Sequence, residues 1–410
     1  MQDVTRAVLA VWLLAVGVCP VLAEDWPSFR GPTGQGHSSG TGLALEWSEA
    51  ENVAWKTAVT GRGWSSPVVA GGQVWLTTST NGSLRLLAFD SQSGEAMVNT
   101  EVFAVDDRYA PNPKNSLASP TAVVDADHNR VFVHFGAYGT AALTTTGDIL
   151  WSTRFPYITQ HGNGGSPILY NGLLIFSCDG YDQAFVIALD AETGETRWKT
   201  DRAQPISQAY STPVIITVDR RDQLVSIGAF RTSAYDPATG EELWRVGYPD
   251  GFSNVPGPVF SAKHGLVYIA TGFQQPSLLA VRADGSGDVT RTHVAWRLRR
   301  GAPHTPSPVV VADQLYVVSD TGILTCVDAV SGEIQWRDRL RGNYSASPVF
   351  ADGRIYFQSE EGFTTIIRPG LKYDELARNE LDGAALASPA VAEGSIFIRT
   401  DTHLYRITAD

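Results

Sequence analysis

Cysteine is nearly missing from this sequence: Cys19, Cys178 and Cys326 are the only ones in 410 residues. Cys19 falls in an apolar leader and the other two lie in distant parts of the chain, so no disulfide framework can be written. Two small buried core thiols are the simpler reading. Catalytic signatures are absent too. There is no GxSxG, HExxH, CxxC or phosphate loop, and the 8 His are too dispersed for metal-ligand spacing. Positive charge is in deficit: 31 Lys and Arg against 43 Asp and Glu give a net charge of -12. That balance disfavours a nucleic-acid partner and suits solubility. Long apolar runs are limited to Ala7 to Val18, shorter than the roughly twenty residues of a membrane-spanning helix. With Arg6 before it and Val21-Leu22-Ala23 after it, residues 1–23 read as a signal peptide that leaves Glu24 as the mature start. Val18 is poorly suited to precede a lipidated Cys19. The mature chain is expected to be periplasmic or secreted, monomeric, and without a membrane segment.

What is abundant is repetition. Ala188-Leu-Asp-Ala-Glu-Thr-Gly-Glu-Thr-Arg-Trp198 reads as a strand, a Thr-Gly turn and a returning strand that carries Trp198 inward. Residues 234–244 repeat it type for type, and 326–336 repeat it with Cys326 first. Residues 88–98 lack only the Trp, and Ala142 to Trp151 is one residue shorter. Self-similarity at about forty to fifty residues fixes an architecture before any single residue does. With 43% hydrophobic residues and 39 Gly, the chain is expected to fold as one all-β body with a large core.

A second marker gives the count. A Pro preceded by Ser, Thr or Gly, and followed by strand formers, occurs at Pro67, Pro120, Pro167, Pro213, Pro258, Pro308, Pro348 and Pro389. Each opens a unit of four short strands, which predicts an eight-bladed β-propeller of four-stranded antiparallel blades. The expected blades are 66–103, 119–155, 166–200, 212–247, 257–299, 307–340, 347–381 and 388–408. The last has only three strands, and the unpaired strand at 51–59 supplies the fourth, closing the ring and removing a free edge. Residues 24–50 are expected to form an irregular lead-in lying on the folded surface, with 51–410 as the propeller. Fourth-strand anchors are expected at Trp55, Met97, Trp151, Trp198, Trp244, Trp296, Trp336 and near Leu376, and blade 5 carries an insertion at 283–293.

The pattern Ala-x-Asp-x-x-Thr/Ser-Gly-x-x-x-Trp resembles the tryptophan-docking motif of the pyrroloquinoline quinone (PQQ) repeat propellers. Among them the chain is similar to the BamB-like propellers of bacterial envelopes, including the Trp26-Pro-Ser-Phe-Arg-Gly-Pro opening. The resemblance implies a ring in which Trp55, Trp151, Trp198, Trp244, Trp296 and Trp336 lock blade to blade, and it does not by itself imply the cofactor. PQQ dehydrogenases of this superfamily use adjacent cysteines over the cofactor and calcium held by Glu, Asn and Asp. The cysteine pair is absent here, and no position maps onto the calcium ligands.

Strand direction places the loops between blades on one face with the turns between second and third strands. Candidate ligand or partner residues on that channel face are Arg62, Trp64, Asn115, His161, Asn163, Asp179, Tyr181, Tyr210, Arg231, Asn254, His304, Asp320, Asn343 and Tyr344. Trp64 and Tyr344 have the rings to stack on a peptide or planar ligand. Asp179-Gly-Tyr-Asp182 is read as turn chemistry in preference to a calcium site. His161 is read as part of a Gly-rich connector in preference to a general base, and Glu360-Glu361 as a solvated rim. The expected function is a non-catalytic scaffold for an envelope protein, peptide or glycan, with no cofactor. The alternative is a PQQ- and calcium-dependent alcohol or aldose dehydrogenase.

Overall fold

The computed structural model describes residues 24–105, 112–273 and 275–409, so the leader at 1–23 and Cys19 lie outside the described residues. The architecture is an eight-bladed β-propeller: the described residues form eight separate sheets, seven of four strands and one of five, each containing four strands paired in the order expected for one blade. Blade 1 is built from Val68–Ala70, Gln73–Thr80, Ser83–Asp90 and Ala96–Ala104. Blade 8 takes Ala390–Ala392, Ser395–Arg399 and His403–Thr408 from the end of the chain and Val53–Ala58 from the beginning. Val53 pairs with Ile407 and Lys56 with Tyr405, so the two ends are joined in one sheet.

The repeated hairpin folds locally because its Asp caps its own turn. Asp190 Oδ1 accepts the N–H groups of Glu192 and Thr193 at 2.9 and 2.8 Å, and Asp328 does the same for Val330 and Ser331. Glycine follows because φ is +76° at both Gly194 and Gly240. A second reason lies in the neighbouring blade. A Cβ on Gly240 would sit 2.5 Å from the Trp198 ring of blade 3, and one on Gly194 would sit 2.7 Å from Trp151 of blade 2. Each Trp thus lies flat on the turn of the following blade. Trp55, Trp151, Trp198, Trp296 and Trp336 also donate Nε1–H to a backbone carbonyl there, over 2.9–3.2 Å.

Trp244 departs from this. Its Nε1–H goes to Gln223 within its own blade at 2.7 Å, because the insertion in blade 5 supplies Gly287–Asp288 as a fifth, parallel strand against the outer edge of blade 4. Two anchor positions need correction. In blade 1 the residue opposite Ala88 is Val98, which fills the space over Gly147, whereas Met97 points to solvent. In blade 7 the matching residue is Ala377, opposite Ile366, and not Leu376.

The core is divided among the blade interfaces. One cluster joins Phe132 of blade 2 to Phe176 and Phe185 of blade 3, and another joins Val225 and Trp244 of blade 4 to Val267 and Val281 of blade 5. His134 belongs to the first interface, 1% exposed, with its ring 4.4 Å from that of Phe176 and its Nδ1 2.8 Å from Thr140 Oγ1. Burial pulls its pKa from 6.5 down to about 3. The folded protein therefore holds His134 neutral while the unfolded chain takes up a proton below 6.5. Stability is expected to fall on acidification between those values, by up to about 1.4 kcal/mol per pH unit from this group. His134→Phe is expected to flatten that slope by about one proton in denaturant titrations at several pH values; an unchanged slope would mean the imidazole protonates in place.

Around the channel the residue two places before each inner strand forms a belt. The N–H groups of Ser66, Thr121 and Ser166 donate to Thr121, Ser166 and Thr212 hydroxyls, all at 2.9 Å. Gly257, Ser307, Ser347 and Ser388 continue it onto Ser307, Ser347, Ser388 and Ser66 at 2.9–3.1 Å. It opens only between Thr212 and Gly257, where the side chain is missing. In blade 2 the belt residue is Thr121, so the Ser119-Pro120 marker sits one residue early in register.

The lead-in packs against the folded body of the propeller. It runs across one end of the channel, along the inward edges of the inner strands. Trp26 pairs with Val69 of blade 1, and the Val124 N–H of blade 2 donates to Pro27 O. Phe260 N–H of blade 5 donates to Gln35 Oε1, His37 Nε2 lies 2.7 Å from Val310 O of blade 6, and Phe350 N–H of blade 7 donates to Gly36 O. Arg30 holds the segment down, donating to Gln35 O and Pro308 O at 2.8 Å. Its burial pulls the guanidinium pKa down to about 9. A cavity of 290 Å³ remains between Phe29, Arg30 and the inner strands of blades 2 to 5.

Candidate functional site

The opposite end of the channel carries the loops between blades and the turns between second and third strands, as expected. Asn343 of one such loop donates to Glu361 of such a turn at 2.8 Å, and His304 N–H donates to Asp320 Oδ2 at 2.7 Å. Lys114, after blade 1, reaches Glu360 of blade 7 at 2.8 Å, and Ser345 donates to the same carboxylate at 2.6 Å. Asp182 accepts the Ile158 N–H and Asp401 the Ala384 N–H. These carboxylates are therefore engaged by donors of the protein itself, and Glu360-Glu361 is a bonded rim. Among the described residues no three His, Cys, Asp or Glu side chains converge to hold a metal ion.

Five of the candidate residues are buried inside the loops and present nothing to a partner: Asn163, Asp179, Tyr210, Asn254 and Tyr344. Tyr344, expected as a stacking ring, donates its hydroxyl to Arg341 O at 3.0 Å, and burial pushes its pKa up to about 12. Asn254 bonds Gly228 O and the Gly272 N–H, tying blade 4 to blade 5. Asn163 accepts from Tyr157, and Tyr210 donates to Gln208 Oε1 at 2.6 Å. Asp179 is paired with Arg202 at 2.6 Å between blades 3 and 4. Burial lifts its carboxyl above the ordinary range, with Arg202 pulling against that shift.

The remaining candidates reach the surface. Arg62, Tyr181 and Asn343 are exposed, and Trp64, Asn115, His161, Arg231, His304 and Asp320 are half-buried. They are spread around the rim, and hydrogen bonds hold several in place. Tyr181 donates to Gln160 at 2.9 Å, Asn115 to His161 O at 2.6 Å, Arg62 to Pro113 O at 2.7 Å and Arg231 to Gln204 O at 2.7 Å. The structure thus gathers no catalytic set from them.

A group missed in the sequence lies between blades 4 and 5. Phe230, Phe252 and Phe273, from three different loops, form a row with ring centroids 6.0 and 5.9 Å apart. Two hollows flank the Tyr248-Pro249 ridge beside it. One, of 450 Å³, is lined by Arg231, Arg245 and Asp288; the other, of 270 Å³, by Arg297, Arg299 and Asp250. The available signal was a Phe set among Gly and polar residues in each of these loops.

Comparison with known proteins fits this geometry. The family model described as outer membrane protein assembly factor BamB matches residues 111–295 and 228–368, more than half of the chain. The chain belongs to this BamB-like, PQQ-repeat family. Within the BamB-like proteins it is similar to outer membrane protein assembly factor BamB of Yersinia pestis, 25% identical over 185 residues. That alignment spans 43% of this chain and 43% of the relative, so less than half of the relative's length is matched. The crystal structure of BamB from Moraxella catarrhalis superposes with a TM-score of 0.63 at 14% identity, covering 87% of this chain and 99% of that one. The quinohemoprotein alcohol dehydrogenase from Comamonas testosteroni superposes with a TM-score of 0.54 at 12% identity, covering 93% of this chain and 80% of that one. At these identities both structures show a shared propeller fold, and the BamB-like membership rests on the family match.

Proposed function

We propose that the chain is an exported, non-catalytic member of the BamB-like family, a scaffold of the bacterial envelope that presents its loop face to a protein, peptide or glycan. The observation that carries this reading is the state of the carboxylates on that face. Asp179, Asp182, Asp320, Glu360, Glu361 and Asp401 each already accept from a side chain or backbone N–H of the protein. A general base or a calcium ligand needs free lone pairs, and each of these carboxylates already spends part of its accepting capacity on the fold. The quinone reading also meets a poor fit. The far channel end is crossed by the lead-in with Phe29 and Arg30, and Cys178 and Cys326 are separately buried in blades 3 and 6. The residues present do not suit a PQQ and calcium pair.

An affinity-tagged mature chain is expected to retain one partner from an envelope fraction, and to lose most of it when loop-face residues such as the exposed Tyr181 or the half-buried Trp64 are changed to Ala. In parallel, PQQ with Ca²⁺ is added to the purified protein. A rise in melting temperature together with dye reduction on alcohols or aldoses would overturn the reading in favour of a dehydrogenase.

A further inference from the structure

We propose that the sector of the loop face between blades 4 and 5 binds an extended segment of a partner protein in which an aromatic side chain stands beside acidic ones. The proposal rests on the scaffold reading above and names the chemistry of what the scaffold holds.

The aromatic half of the argument is the row Phe230, Phe252 and Phe273. Phe273 is 53% exposed, and the other two are half-buried. The row is built by backbone contacts between loops. Phe230 N–H donates to Gly251 O, Tyr248 N–H to Phe230 O at 2.9 Å, and Phe273 N–H to Phe252 O at 3.2 Å. Phe230 is held at φ +66°, an unfavourable conformation for a residue with a β-carbon. Three rings fixed in line at a rim, partly open to solvent, leave an edge for a fourth ring to pack on.

Charge supplies the other half. On a chain of net charge -12, the 270 Å³ hollow is lined by Arg297 and Arg299 against Asp250. Both arginines are exposed, so their guanidinium groups are open to carboxylates. The turn that carries Phe273 also supplies Thr271, Gln275 and Ser277 to the wall of this hollow. Ring seat and charge seat are therefore neighbours, as adjacent side chains of an extended peptide would require. A basic segment would be repelled.

The test is fluorescence anisotropy on the purified full chain with the labelled peptide Asp-Glu-Phe-Asp-Glu. It is expected to bind at least about tenfold more tightly than Lys-Lys-Phe-Lys-Lys or Asp-Glu-Ala-Asp-Glu, and less tightly as salt is raised. Phe273→Ser, and separately Arg297→Glu with Arg299→Glu, should each weaken it by about tenfold at an unchanged melting temperature. No binding, equal binding of the three peptides, or binding untouched by these substitutions overturns the proposal. If the tagged chain still retains its envelope partner through the loop face in that event, the sector is wrong and the scaffold reading stands. If the loop face retains nothing, the scaffold reading itself has failed.

Discussion

Trp244→Ala is expected to lower the free energy of unfolding by about 3–5 kcal/mol, the range for large aromatics removed from a packed core. The indole is 0% exposed, packed with Val225, Val246, Val267 and Val281 at the interface of blades 4 and 5. Loss of the ring opens a void and also releases Gln223 Oε1, which accepts from Nε1 at 2.7 Å. Gln223 in turn donates to Ala283 O, where the blade 5 insertion begins its return to blade 4. Void and freed acceptor fall at one point, and the seal made by Gly287–Asp288 gives water no easy entry. Trp336→Ala makes the comparison: that ring is only half-buried, and its loss should cost less. Denaturant midpoints of the two variants measure the difference. A loss below about 1 kcal/mol for Trp244 would mean the site collapses around the missing ring.

Asp179→Leu is expected to have an effect of similar size for an electrostatic reason. Asp179 and Arg202 bond through both carboxylate oxygens, at 2.6 and 3.2 Å, with side chains each 2% exposed. Arg202 also donates to Ser226 Oγ at 2.6 Å, so the pair fastens blade 3 to blade 4. Removing the carboxylate leaves a guanidinium buried without a counter-charge, a loss of about 3–5 kcal/mol. Joint replacement, Asp179→Leu with Arg202→Met, removes both charges and should recover most of that loss. If the double variant is no more stable than the single one, packing and not charge is what the site supplies.

These residues show how far sequence could reach into the site. Asp179 and Asp182 sit three apart in an Asp-Gly turn and look alike as letters. One is buried against Arg202 and the other caps the Ile158 N–H at the surface. Tyr344 and Tyr181 both fall in polar, Gly-containing loops, yet one is 0% and the other 45% exposed. Exposure of a loop side chain depends on the loops of adjoining blades, which no local pattern encodes. The Phe row was hidden for the same reason, since its three members lie in separate loops and meet only when blades 4 and 5 stand side by side.

By itself the sequence determined the all-β class, the eight units, the strand order and the closure of the ring by the segment around Trp55. Each of these follows from short-range rules that repeat: an Asp that caps its own turn, a Gly at positive φ, and a Pro at the start of an inner strand. Tertiary structure alone decided that the lead-in crosses the channel, that Trp244 bonds within its own blade, and that the insertion at 283–293 extends blade 4. Those outcomes are set by contacts such as Arg30 with Pro308 and Trp244 with Gly287, between parts of the chain that do not repeat. A repeat fixes what every blade does alike, whereas the differences among blades arise only where unlike segments are brought together in space.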